Sequence, residues 1–196
     1  MRARAEIPRL IVIGNHGLEI AGPDWSHVDP AVAESAAAVT DLGRALTKRL
    51  AAFADVVLEE RGLSLDVRYQ RVPPEMHSAV RSAVHEVLGT SSHPFVLSEG
   101  MQCVDIRPRV YWHKGEAVRW LAACVQHRNT LMVFVGGDPT DEDVFAALSD
   151  GITIRVGTEG ETAAAYHVDG PDGVRKLLEW MRDQIQQAGI DPRPTS

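Results

Sequence analysis

Asp138, Asp141, Glu142 and Asp143 crowd together directly after an apolar run, in the stretch LMVFVGGDPTDEDVF from Leu131 to Phe145. The pattern predicts a strand, a glycine turn and the opening of a helix. Carboxylates at the end of a buried strand suit a hard cation such as Mg²⁺, which prefers oxygen ligands and bridges carboxylates to a substrate phosphate. The same residues have a second use. Asp141 and Glu142 favour a helix N-terminus electrostatically, and Thr140 is a capping residue type. Both uses stay open at this level. Lys114, at the start of a helical stretch, reads on position alone as a solvated side chain. No other chemistry competes: the 8 histidines show no HExxH spacing, and there is no GxSxG elbow and no Walker A sequence.

Elements must position these residues, and their pattern divides the chain. Leu10–Ile13 is a short apolar run ended by Gly14, as for a buried strand. A polar turn, Asn15-His16-Gly17, leads to Leu18–Ile20, and Pro23–Pro30 reads as loop. From Ala31 to Phe53 apolar residues recur at helical spacing (Val32, Val39, Leu42, Leu46, Leu50). Val56–Glu60 and Leu63–Tyr69 are strands, the second alternating as a half-buried antiparallel strand does. A helix over Pro74–Leu88 and a hairpin of Phe95–Ser98 with Gln102–Arg107 complete an α+β block. Beyond Pro108 helix and strand alternate: Lys114–Val125, Leu131–Val135, Asp141–Leu148, Ile152–Val156, Ala164–Val168 and Gly173–Gln187. That is the rhythm of a parallel, doubly wound sheet.

Bulk properties narrow the class. With 196 residues and a net charge of −7, the chain offers no global attraction for nucleic acid or an anionic membrane. No run is apolar and long enough to span a bilayer, and the N-terminal apolar run is too short for a signal peptide. Cys103 and Cys124 have no zinc or CxxC spacing, so free thiols in a reducing cytoplasm are expected.

Taken together, IGNHGLEI (Ile13–Ile20), RGLSLDVRY (Arg61–Tyr69), EGMQCVDIRP (Glu99–Pro108), WHKGEAVRWL (Trp112–Leu121), VGGDPTDEDVF, GITIRVG and TAAAYHVDGPDGV resemble, in order and spacing, the trehalose-6-phosphate phosphatase family of the haloacid dehalogenase superfamily. The resemblance implies an α/β fold: a Rossmann-like core into which an α+β cap is inserted. It implies Mg²⁺-dependent hydrolysis of trehalose 6-phosphate to trehalose and phosphate by a nucleophilic aspartate. On this reading residues 1–23 are a residual core strand and junction, 24–108 the cap, 109–190 the C-terminal part of the core and 191–196 a tail.

The resemblance also assigns roles. Lys114 corresponds to the lysine that neutralises phosphate and nucleophile. Asp138 and Asp141 correspond to carboxylates of the metal-binding loop, whose first aspartate falls on Gly137. Asn15, His16 and Glu19 match the family's GNHGLE near the junction of core and cap, His16 as a substrate contact or a structural turn residue. Arg61 and Asp105 fall at sugar-recognising positions where a lysine and a glutamate are usual. Arg68, Gln70, Met101 and His113 likewise replace a histidine, an arginine, a basic residue and an Asn or Asp. Arg107 stands in an intact IRP, to brace the cap–core junction or touch ligand.

The family's opening motifs, an Asp-x-Asp-Gly-Thr strand end and a Ser-Gly-Arg-like phosphate turn, have no counterpart here; no aspartate precedes Asp24. The expectation is therefore a partial core with its first strands missing and an exposed edge on the Leu131–Val135 strand. Such a chain would be inactive alone, completed in trans by an N-terminal core fragment or kept as a remnant that binds a sugar phosphate or a protein partner.

Overall fold

Alternating apolar residues and two amphipathic helices account for most of the first half of the chain. The computed structural model describes residues 10–125, 130–158 and 160–189; the expected tail 191–196 and the opening of the expected first segment, residues 1–9, lie outside them. The chain divides into two compact units, residues 1–113 and 114–196.

In the first unit, β1 (Val12–Gly14), β2 (Glu19–Ala21) and β3 (Ser26–His27) form a small antiparallel sheet in that order. The expected loop Pro23–Pro30 thus contains a strand, because Ala21 and Ile20 pair with Ser26 and His27 across a short return. The larger sheet has four antiparallel strands in the order β4 (Val57–Glu60), β5 (Leu65–Arg68), β7 (Cys103–Pro108), β6 (Phe95–Gly100). Leu65 and Val67 lie opposite Ile106 and Val104, so these four share one face. With Val39, Leu42, Leu46 and Leu50 of α2 (Ala36–Leu50) and Val80, Ala83 and Val84 of α3 (His77–Gly89), they make one buried core.

The helical stretch read as continuous from Ala31 is broken. A first piece, α1 (Pro30–Glu34), starts on Asp29, whose Oδ1 accepts from Ala31 N–H at 2.9 Å, and ends at Ser35. The buried Ser35 hydroxyl donates to the Ala31 carbonyl at 3.1 Å, a back-bond that bends helices.

In the second unit, three parallel strands lie in the order β10 (Tyr166–Val168), β9 (Ile152–Val156), β8 (Val133–Gly136). Helices α4 (Lys114–Val125) and α5 (Glu142–Ala147) pack with them, burying Ala117, Val118, Ala122, Val144, Phe145 and Ile154. Phe134 of β8 meets Phe145 edge-on, ring centroids 5.6 Å apart. The last helix, α6 (Pro171–Gln187), buries none of its residues fully and leaves Leu178 and Trp180 exposed. Strand β8 has one partner strand among the described residues, β9, and its residues are only half-buried. Both cysteines are free, and among the described residues no helix is long and apolar enough to cross a membrane.

Candidate functional site

The acidic loop is built by glycine and by one aspartate. Strand β8 ends at Gly136; Gly137 and Asp138 carry the chain into a single 3-10 turn, Pro139–Asp141, that runs into α5. Asp141 is 3% exposed. Its Oδ2 accepts from the Gly137 N–H at 2.8 Å and the Asp138 N–H at 2.9 Å. Its Oδ1 pairs with the ammonium of Lys114, the first residue of α4. Gly136 is required by this arrangement: a Cβ there would sit 2.8 Å from Asp141 Cβ and closer still to its carboxylate. Lys114 Nζ also lies 5.9 Å from the Phe134 ring centroid, a weak cation–π contact. The result is a fixed ammonium beside a turn at the C-terminal end of a parallel strand, where ligands of open α/β sheets bind.

The expected metal ligands are thus differently placed. Both Asp141 oxygens are engaged by Lys114 and the loop amides, whereas Asp138 stands exposed. Among the described residues no three or more His, Cys, Asp or Glu side chains cluster in a way that could hold a metal. Beyond the loop, Glu142 fixes the segment before β10. Its Oε2 accepts from the Ala163 N–H at 2.8 Å, and its Oε1 from Arg155 Nη1 at 2.7 Å. The Ala163 amide first, then the Thr162 hydroxyl and Arg155, hold the Glu142 carboxyl below its ordinary range.

The second cluster belongs to the first unit. Asn15 and His16 both have positive φ, 53° and 57°, in the turn between β1 and β2. Asparagine and histidine are among the side chains that most often accept that backbone. Asn15, 7% exposed, donates from Nδ2 to the Arg61 carbonyl at 3.3 Å and accepts from the Ser64 hydroxyl. It therefore pins this turn to the β4–β5 turn. Trp112 closes the same turn, its indole N–H donating to Gly17 O at 2.8 Å.

His16 Nε2 then lies 3.1 Å from Asp105 Oδ2. Arg61 Nη2 contacts Asp66 Oδ2 at 2.6 Å and Glu59 Oε2 at 3.3 Å, and Arg68 Nη2 reaches the same two oxygens at 3.4 and 3.0 Å. Arg107 Nη2 reaches Ser98 Oγ at 3.4 Å. Register explains the convergence: Glu59, Asp66, Asp105 and Ser98 lie opposite one another across all four strands, on the face away from the apolar core.

Asn15, His16, Arg61 and Asp105, singled out in the sequence, are therefore brought together. Glu19 is not: it sits on β2 opposite Gly14, and its side chain makes no hydrogen bond or ion pair among the described residues. The central residue that sequence reasoning passed over is Asp66. Its place in an alternating strand suggested a solvent-facing side chain, yet it is 6% exposed. Burial pushes its carboxyl up from the ordinary range, Arg61 pulls it back, and Asp105 beside it pushes it up again. Burial, and then the negative charge of Asp66, likewise raise the Cys103 thiol. The signal available in the sequence was a charge flanked by two arginines within one strand and its turn.

Comparison with known proteins gives this geometry a setting. The model of the family Trehalose-phosphatase matches residues 1–172. A trehalose-phosphate phosphatase of Mycobacterium tuberculosis is 27% identical over 95% of the chain and 50% of its own length. A second protein of that organism, described as an uncharacterized glycosyl hydrolase, is 29% identical over 96% of the chain and 15% of its own length. The chain spans half the length of the curated phosphatases it matches. Among solved structures, a trehalose-6-phosphate phosphatase related protein aligns with a TM-score of 0.72 at 21% identity, covering 88% of this chain and 72% of that one. The C-terminal domain of Candida albicans trehalose-6-phosphate phosphatase aligns at 0.63 and 19%, covering 86% and 69%. These likenesses show an α/β fold of the haloacid-dehalogenase kind. With the family model matching most of its length, the chain belongs to the trehalose-phosphatase family.

Proposed function

We propose that this chain is the sugar-phosphate-handling part of a phosphatase acting on trehalose 6-phosphate in trehalose biosynthesis. The observation that carries the reading is the Lys114–Asp141 pair, locked by the Gly137 and Asp138 amides at the end of β8. A phosphoryl group needs a fixed cation on its oxygens, an in-line nucleophile and a proton donor for the leaving oxygen. Lys114 supplies the first: an ammonium is a compact point charge, and Asp141 limits where it can lie. The polar sheet face of the first unit is suited to a polyhydroxyl ligand. There Asp105 offers carboxylate acceptors, while His16, Arg61 and Arg68 offer donors.

The nucleophile is the missing part. No aspartate precedes Asp24, and within the parallel-sheet unit Asp141 is committed to Lys114. On this reading the attacking carboxylate is assigned to none of the residues placed above. Mg²⁺, which phosphatases of this family generally use, fits these residues poorly. The loop offers Asp138 as one exposed carboxylate, and Gly137 contributes no side chain. These two deficits favour a second reading, a chain that binds the sugar phosphate, or a partner, without cleaving it. The free thiols suit a cytoplasmic setting for either.

Phosphate release and calorimetric titration of trehalose 6-phosphate, on the 196-residue chain, separate the readings. The expected result is binding that Lys114→Ala weakens, without turnover. Turnover regained with a preceding segment carrying an Asp-x-Asp strand end supports the phosphatase reading, and binding alone under both conditions supports the second. Absence of binding in both forms overturns the two together.

A further inference from the structure

Asp66 and Asp105 lie directly opposite each other on β5 and β7, both more than nine-tenths buried. Both Asp105 oxygens are shielded from solvent, and neither receives an aligned hydrogen bond among the described residues; the His16 Nε2 that lies 3.1 Å from Oδ2 is not aimed along one. Two buried carboxylates facing each other are two sets of acceptors with no donor between them. Like charges opposed across a sheet destabilise it, and a buried acceptor without a donor costs more than a lost hydrogen bond.

The charged and titratable groups around the pair are Glu59 on β4, Arg61 in the β4–β5 turn, Arg68 on β5, Cys103 and Arg107 on β7, and His16 in the β1–β2 turn. Arg61 and Arg68 both grip Asp66 and Glu59, and Arg107 reaches Ser98. Two guanidiniums thus hold Glu59 and Asp66 and leave Asp105 outside their grip. Asp105 has no guanidinium within ion-pair distance among the described residues; the group that faces it is His16, while Arg107 of the same strand turns to Ser98.

We infer that Asp66 and Asp105 form a proton-sharing carboxyl pair, a binding site for one proton that supplies the donor Asp105 lacks. Burial and the neighbouring Asp105 push the Asp66 carboxyl upward, the direction such a pair requires. Two such groups lose their protons in separate steps that belong to the pair. If the sheet face meets a sugar phosphate as proposed above, the proton regulates it. Loss of the proton tightens the hold of Asp66 on Arg61 and makes the face more negative, so an anionic ligand binds less well as pH rises.

The sign for stability follows from linkage. A carboxyl raised in the folded state favours folding while protonated, and that contribution is lost as pH rises from its unfolded to its folded titration point. Carbon-detected NMR titration of the aspartate side chains in the ligand-free chain is the primary test. The expected result is that the Asp66 carboxyl titrates above the remaining aspartates and that Asp105→Asn moves that titration. In parallel, Asp66→Asn and Asp105→Asn are each melted from mild acid to neutral pH. Asp105→Asn keeps the shape, supplies a donor opposite Asp66 and leaves Asp66 on its two arginines, and it should melt on the order of 5 °C above the wild type at neutral pH, with the gap closing in acid. An Asp66 carboxyl that titrates with the other aspartates, or one that Asp105→Asn leaves unmoved, overturns the pair. So do melting profiles that run parallel for wild type and both variants. Trehalose 6-phosphate titrations at acid and neutral pH then test whether the proton regulates ligand binding. Absence of binding at either pH overturns the ligand reading and leaves the ligand-free results to decide the pair.

Discussion

Lys114 and Asp141, 27 residues apart, form the ion pair that joins the start of α4 to the loop after β8. The pair is asymmetric: the aspartate side chain is 5% exposed and the lysine 27%. Asp141 also gathers two backbone amides, so it organises the loop while Lys114 keeps one side open.

Removing either partner should therefore have unequal effects. Asp141→Ala leaves two amides and an ammonium without their acceptor and should cost about 2–4 kcal/mol, less than a fully buried pair because water reaches Lys114. Lys114→Ala should cost about 1–3 kcal/mol, since the carboxylate keeps its two amide donors. Urea unfolding of the second unit's signal checks both. An equal or reversed order would show that Asp141 is not the organiser.

The two loop glycines should respond differently to side chains. Gly136→Ala drives a Cβ into the Asp141 side chain and should destabilise by about 1–3 kcal/mol. At Gly137 a Cβ would lie 3.1 Å from the Val156 carbonyl oxygen, tight but relieved by a small shift. Gly137→Asp should thus fold and place a second carboxylate beside Asp138. Mg²⁺ titration calorimetry is expected to show tighter binding than in the parent chain. Unchanged Mg²⁺ binding in a folded Gly137→Asp variant would argue against a metal role for this loop.

Asn15 is expected to behave as a structural pin. Asn15→Ala loses the Arg61 carbonyl and Ser64 contacts and puts alanine at a φ of 53°. A loss of about 2–3 kcal/mol follows from the bonds and the left-handed backbone together. Ser64→Ala should cost less, about 1 kcal/mol. Thermal melts of both variants, read with the imidazole NMR signals of His16, test whether His16 loses its place beside Asp105.

Glu142 makes the acid limb of stability predictable. Its carboxyl is held below the ordinary 4.5, so the contribution it makes is present above that value and fades as pH falls through its lowered folded-state point. Amide exchange at Ala163 should accelerate in that acid window. Glu142→Gln should accelerate it already at neutral pH and flatten the pH dependence. Exchange at Ala163 that is insensitive to both would remove Glu142 as the clasp.

Much of this protein is legible without coordinates. Alternation in Leu65–Val67 and Val104–Ile106 and helical spacing in α2 set the layers of the first unit, because burial of one face imposes those periods. Helix–strand alternation after Pro108 announced the parallel sheet, and the acidic residues announced the turn that follows β8. The sequence also shows that no aspartate precedes Asp24 and that Gly137 carries no side chain.

Tertiary structure alone decided the partners. The break at Ser35 depends on a side chain turned back onto a carbonyl, which helical spacing does not encode. Asp141 became a lysine's partner because Gly136 lets it fold over the strand end. Asp66 became a buried acid facing another acid because register brought β5 beside β7, and because Arg61 and Arg68 lie against it. Pairing across strands and burial beneath other side chains are properties of residues distant in sequence, and no local pattern carries them.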